Sequence, residues 1–262
     1  MKEIPKKIIT LKKKLPVTEP VNVPVGDELI RLNKYISNAG VCSRRDADDL
    51  ISKGLVTING EVVTELGRKV TLDDDVRFEG KRLNPERKVY ILLNKPKGFV
   101  TTIDDPHADR TVMELVSNAC TERIYPVGRL DIQTTGLLLF TNDGELTTKL
   151  THPSYEKKKV YHAQLDRDLL PEDLEKIING IELEDGLIIA DDIHHIDQDD
   201  ARQVGIEIHS GKNRIVRRIF EHFGYKVEKL DRVLFAGLTK KDLPRGRYRF
   251  LTPQEINFLK MS

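Results

Sequence analysis

Four consecutive large apolar residues, Leu137-Leu138-Leu139-Phe140, follow Gly136 and run into Thr141-Asn142-Asp143-Gly144. A run this short between turn residues predicts a buried strand rather than a helix. With no polar alternation, such a strand has to be covered on both faces, so it belongs at the centre of a sheet. The polar stretch before it, Gly128-Arg129-Leu130-Asp131, is then a loop anchored on rigid backbone. Such loops often carry functional side chains, and this one holds an aspartate beside an arginine. By itself an aspartate in a loop is also an ordinary turn or cap residue.

The rest of the chain changes pattern near residue 83. Residues 1–26 are rich in Lys, Pro and Val without helical or strand period, and read as a basic arm that either is solvated or attaches to RNA. Residues 27–82 read as a helix–helix–hairpin unit. Leu29, Leu32, Ile36 and Ala39 recur at helical spacing with Gly40 at the end. Ser43 and Asp46 form a capping box for a second helix with Ala47, Leu50 and Ile51 on its apolar face. Val56 and Ile58 alternate before the Asn59-Gly60 turn and Val62, and a further strand is expected near Val76 and Phe78. The polar residues 83–89, containing a proline, are a linker.

From residue 90 to 262 short strands and helices intermix. Strands are expected at Tyr90–Leu93, Val160–Leu165, Ile188–Ala190, Val204–His209 and Val227–Phe235. Helices are expected at Pro171–Ile178 and Ile215–Phe223, and a last one starts at Thr252-Pro253-Gln254-Glu255. The absence of regular βαβ alternation predicts an α+β fold with a mixed, mainly antiparallel sheet.

The stretch 128–146, GRLDIQTTGLLLFTNDGEL, closely resembles the signature of the RsuA/RluB-type ribosomal RNA pseudouridine synthases. The resemblance implies that Asp131 is the essential catalytic residue. The loop Lys95-Pro96-Lys97-Gly98 also recurs in that family, although it reads equally as a Pro-Gly turn with two solvated lysines. HSGKNRIVRRIFEHFGY, residues 209–225, matches a further family motif. Its basic residue pairs with the catalytic aspartate, and the match falls on Arg217, with Arg218 as the one-residue-off alternative. Helical spacing buries Ile215, Val216, Ile219, Phe220 and Phe223 and leaves Arg214, Arg217, Arg218 and Glu221 elsewhere. Tyr161, at the family's KVY position, is expected to pack on the target base; a lone strand tyrosine is otherwise a packing residue. Lys157, Lys158, Lys159, Lys212, Arg214 and Arg218 are candidates for RNA phosphates, and Arg129 for contact near the target nucleotide. His152 is assigned a structural role, while His194 and His195 point apart on a strand.

Residues 31–63 are similar to the small RNA-binding domain named after ribosomal protein S-four. That similarity implies that Arg31, Lys34, Arg44, Arg45 and Lys53 contact RNA, whereas a charged helix face is by default a solvated one.

Composition narrows the remaining classes. The net charge is only +1 despite 43 Lys and Arg, so any RNA site depends on local segregation of charge. No apolar stretch reaches the ~20 residues needed to span a bilayer. Two distant cysteines, Cys42 and Cys120, read as free thiols, and the expected compartment is the cytoplasm. There is no metal-ligand spacing, Walker loop or GxGxxG, so neither metal nor cofactor is expected. The expectation is a monomeric isomerase that converts uridine to pseudouridine in a single-stranded loop or bulge of ribosomal RNA, with large-subunit 23S preferred. The alternatives are a 16S target or a non-catalytic ribosome-assembly factor that binds the RNA.

Overall fold

A computed structural model describes residues 29–103 and 109–262. The basic arm assigned to residues 1–26 lies outside the described residues. The chain divides into two compact units. One holds the described chain up to Ser37 together with Cys42–Leu83, and the other holds Asn38–Val41 together with Asn84–Ser262.

In the first unit β1 (Ile30–Arg31) pairs with β4 (Lys69–Val70), and β2 (Val56–Ile58), β3 (Glu61–Val63), β5 (Val76–Phe78) and β6 (Lys81–Arg82) form a sheet in the order β3-β2-β5-β6. Helix α1 (Leu32–Asn38) starts three residues later than the periodicity suggested, because Ile30 and Arg31 are taken into a strand; Leu29 is exposed. Helix α2 (Arg44–Ser52) carries the Ser43/Asp46 capping box, with both reciprocal bonds formed. Ala47 and Ile51 are buried beneath it, and Leu50 is half-buried.

The second unit is built on a nine-stranded sheet. Its strands are β7 (Tyr90–Lys95), β8 (Tyr125–Pro126), β9 (Thr135–Thr141), β10 (Lys159–Leu165), β13 (Asp192–His195), β14 (Gln203–Ile208), β15 (Val227–Phe235), β16 (Leu238–Thr239) and β17 (Tyr248–Phe250). The main path runs β13-β14-β10-β15-β9-β7-β17. All neighbours are antiparallel except β15 and β9, so the sheet is mixed and mainly antiparallel, as expected. A separate hairpin pairs β11 (Ile181–Leu183) with β12 (Gly186–Ile188), displacing the strand expected at Ile188–Ala190 towards the N-terminus.

Both faces of the sheet centre are covered. Ile91, Leu93, Leu138 and Phe140 pack into one apolar cluster with Ile215, Val216, Ile219 and Phe220 of α5 (Ile215–His222). The alternate residues Tyr90, Leu92, Leu137 and Leu139 pack into another with Leu146 and Leu150 of α3 (Gly144–Thr151) and Leu259 of α6 (Pro253–Met261). Period-two alternation sends successive side chains to opposite faces. Two layers of cover therefore require the unbroken apolar run. Helix α4 (Pro171–Asn179) buries Ile177. Among the described residues no helix is long and apolar enough to cross a membrane.

Candidate active site

Asp131 lies in the loop between β8 and β9, and its main chain is pinned on several sides. Thr134 N donates to Asp131 O at 3.0 Å and Gly98 N to Ile132 O at 2.8 Å. Thr101 Oγ1 donates to Leu130 O at 2.7 Å. The strongest tie comes from Lys95, which is fully buried. Its Nζ donates to Asp131 O at 3.1 Å, Thr134 O at 2.9 Å and Pro96 O at 3.2 Å. Three carbonyls use all three ammonium protons. Burial pulls the Lys95 pKa down to about 8, with Asp131 opposing the shift and Arg245 adding to it.

One of the two lysines in the KPKG loop is thus an internal strut, not a solvated turn residue. The signal was its phase: Lys95 shares a strand face with Ile91 and Leu93, both in the core.

The Asp131 carboxylate is about one third exposed, and two guanidinium groups approach it. Arg217 Nε stands 4.0 Å from Oδ2, and Arg214 Nη1 stands 3.9 Å from the same oxygen. These are ion pairs at their outer limit rather than hydrogen bonds. Arg217 lies on the buried side of α5, against the helical-spacing expectation. Its Nη1 donates to Val227 O at 2.8 Å, which satisfies part of the guanidinium inside, while Nε is buried without a hydrogen-bond partner among the described residues. Burial, then Arg214, lower its pKa, and Asp131 opposes them; an arginine stays charged under such pressure.

Arg214 caps α5 with φ 49°, a left-handed conformation that a non-glycine residue adopts at a cost of about 1 kcal/mol or more. Its position beside the carboxylate was not anticipated. Arg218 is excluded as the aspartate's partner, since its two terminal nitrogens bond both oxygens of Asp185 at 2.6 and 2.9 Å. One residue of helical rotation, about 100°, separates the two directions.

Asp131 opens onto a cavity of about 150 Å3 whose wall includes Thr134, Lys159, Tyr161, Val216, Arg232 and Phe235. A wider groove of about 590 Å3, shared by Arg129, Asp131, Lys212 and Arg214, runs past the same point. Tyr161, 8% exposed, lines the cavity from β10. Arg129 and Arg214 are exposed, and Lys212 is half-buried with Nζ on Asp185 O at 2.7 Å.

The three lysines before Tyr161 diverge. Lys158 pairs with Glu207, and Lys157 reaches Ser262 Oγ at 3.5 Å. Lys159 turns inward, donating to His209 O at 2.8 Å and Ser210 O at 3.3 Å. Arg232 was not foreseen. It shares a cross-strand position with Tyr161 and sits in the cavity wall, and the only hint was its period-two relation to buried Leu230. His152 caps the end of α3 and accepts from Ser154 N at 3.3 Å through Nδ1. In the first unit Arg31, Arg44, Arg45 and Lys53 are exposed and Lys34 is half-buried.

Comparison with known proteins adds the family. The family described as RNA pseudouridylate synthase matches residues 89–222, and the S4 domain matches residues 30–76. A ribosomal large subunit pseudouridine synthase B of Bacillus subtilis is 44% identical, over 88% of this chain and 95% of its own length. An uncharacterized RNA pseudouridine synthase of Aquifex aeolicus is 40% identical, over 87% and 92%. A crystal structure of a pseudouridylate synthase superposes with a TM-score of 0.63 at 29% identity, covering 88% of this chain and 99% of that one. With a half-length family match and relatives of this identity along nearly their whole length, the chain belongs to the RNA pseudouridine synthases.

Proposed function

We propose that the chain isomerises a uridine to pseudouridine in ribosomal RNA, in the large-subunit 23S molecule, and that Asp131 is the catalytic group. The observation that carries this reading is a single one. The carboxylate of residue 131 stands at the mouth of a cavity walled by Tyr161, with the Arg217 guanidinium 4.0 Å away. The large-subunit target rests on the name of the Bacillus subtilis relative.

A base stacked within a helix cannot reach such a cavity, so the nucleotide turns out of its stack at a cost of a few kcal/mol. Stacking on the Tyr161 ring returns roughly 1–3 kcal/mol. Arg129, Lys212 and Arg214 flank the groove and suit the RNA backbone. The Arg217 guanidinium offsets the charge of the Asp131 carboxylate in a site that RNA closes to water. The bond from C1′ to N1 breaks with its electron pair leaving on the base, while Asp131 either bonds to C1′ or takes the 2′ proton. The base rotates and C5 bonds to C1′ as the Asp131 ester bond to that carbon breaks or, on the other route, as Asp131 returns its proton to C2′; the C5 proton is then released and N1 gains one. Atoms and charge balance without any further reagent. The S4-like unit holds the RNA through Arg31, Lys34, Arg44, Arg45 and Lys53, and the protein works as a monomer in the cytoplasm.

The test is carbodiimide mapping of 23S and 16S RNA transcripts treated with the protein. The wild type should create one new stop in 23S RNA and Asp131→Asn none, with RNA affinity within a few-fold. Equal conversion by Asp131→Asn rules out the aspartate's role, and a stop confined to 16S RNA overturns the target.

A further inference from the structure

The cavity beside Asp131 is lined by Arg129, Lys159, Lys212, Arg214 and Arg232, with Asp131 itself the one carboxylate among the lining residues. Three of these cations stand at the groove. The other two are placed differently. Arg232 is 3% exposed, too deep for an RNA phosphate. Its Nε donates to Leu137 O at 2.8 Å and its guanidinium lies 4.5 Å from the Phe235 ring centre, yet Nη2 is buried with no hydrogen-bond acceptor among the described residues. The adjacent carboxylate, Asp231, is committed to Lys240, Arg245 and Thr135.

Across the β10–β15 ladder Arg232 is the direct partner of Tyr161, and Lys159 lies two residues from Tyr161 in the same cavity wall. Burial and the nearby Arg232 together pull the Lys159 pKa down to about 8, with Asp191 opposing them. Two cations crowded into one largely buried corner, with one N–H donor left unpaired and Asp131 the single carboxylate in the cavity wall, are costly unless further negative charge arrives there.

The reaction supplies such a charge. Cleavage of the bond from C1′ to N1 leaves the base as an anion, with charge spread over N1, O2, C5 and O4. We propose that Arg232 and Lys159 are catalytic residues that receive the charge developing on the uracil ring as it leaves C1′, and so stabilise the transition state for bond cleavage. This rests on the reading that the Asp131 cavity holds the target uridine. The donors are preorganised by strands β10 and β15, away from bulk water, where a hydrogen bond to developing charge counts most. The charge they hold includes the share on C5, the atom that must next attack C1′. Tyr161 stacks on the ring between them without competing for its oxygens.

The experiment uses a short RNA spanning the mapped site, made with uridine or 5-fluorouridine at that position. Fluorine at C5 makes the base a better leaving group that needs less help from the protein. Single-turnover rates of nucleoside loss are read with the full-length protein in excess, alongside RNA affinity and thermal melting. Arg232→Gln should slow uridine about 10²–10³-fold, with affinity within a few-fold, and slow 5-fluorouridine at least tenfold less. Arg232→Lys should regain part of the loss. Lys159→Met should show the same substrate dependence, and it decides the matter if Arg232→Gln fails to fold. Equal slowing of both bases, a loss traced to affinity, or an undiminished rate overturns the proposal. If Asp131→Asn is inactive while the Arg232 and Lys159 variants keep full rate, only the charge-stabilising role falls. If Asp131→Asn is active, the site reading falls with it.

Discussion

Replacing Lys95 by methionine tests whether a buried charge holds the Asp131 loop in place. Methionine keeps the length and apolar stem but removes three donors, from Asp131 O, Thr134 O and Pro96 O. Hydrogen bonds involving a charged group contribute roughly 1.5–3 kcal/mol each, so about 4–9 kcal/mol is lost in total. The burial of the ammonium works the other way. A pKa moved from 10.5 to about 8 corresponds to a cost of about 3 kcal/mol at neutral pH. The balance is a destabilisation of roughly 1–6 kcal/mol, measured by urea unfolding.

The pH dependence has a definite sign. With its folded pKa below the unfolded one, Lys95 loses its proton earlier in the folded protein. Between about pH 8 and 10.5 the unfolded chain binds more protons, and wild-type stability rises with pH. Lys95→Met lacks that contribution, so the gap between the two proteins should widen over this window. Because an ångström of misplacement near the chemistry can cost about 10²-fold, turnover should fall by that order with RNA affinity little changed. A variant as stable as the wild type, within about 0.5 kcal/mol, and equally fast would refute the argument.

Gly136 sits at φ +106° between β7 and β15, and a Cβ there would meet Arg232 O at 2.2 Å and Arg232 N at 2.5 Å. Gly136→Ala should therefore cost about 2–6 kcal/mol from strain and overpacking, seen as a lowered melting temperature; an unchanged one would contradict the close approach. Arg44 and Arg45 are exposed at the start of α2. Neutralising both to glutamine should weaken RNA binding and flatten the plot of log affinity against log salt by about 1–2, and an unchanged slope would remove them from the RNA contact.

The features legible in the chain are those whose causes are local. The capping boxes at Ser43/Asp46 and Thr252/Glu255 each satisfy two backbone donors within four residues, and both form. The Leu137–Phe140 run announces a central strand because a strand covered on both faces can tolerate no polar alternation. Periodicity failed where pairing intervened. Ile30 and Arg31 were drawn into a bridge with Lys69 and Val70, and the helix expected from Leu29 lost its first turn. It also failed at Arg217, whose burial depends on a carbonyl ten residues away and a carboxylate on another loop.

By itself the amino-acid sequence determined the main strands and helices, the α+β class and the aspartate that a pseudouridine synthase signature singles out. Only the tertiary structure decided which cations surround that aspartate. Lys95 reaches it across 36 residues, and Arg232 is joined to Leu137 across 95. Whether a lysine or arginine faces solvent, phosphate or a buried carbonyl depends on which strands lie beside it. That is set by sheet order, through contacts between residues far apart in the chain, and no local pattern of residue types encodes it.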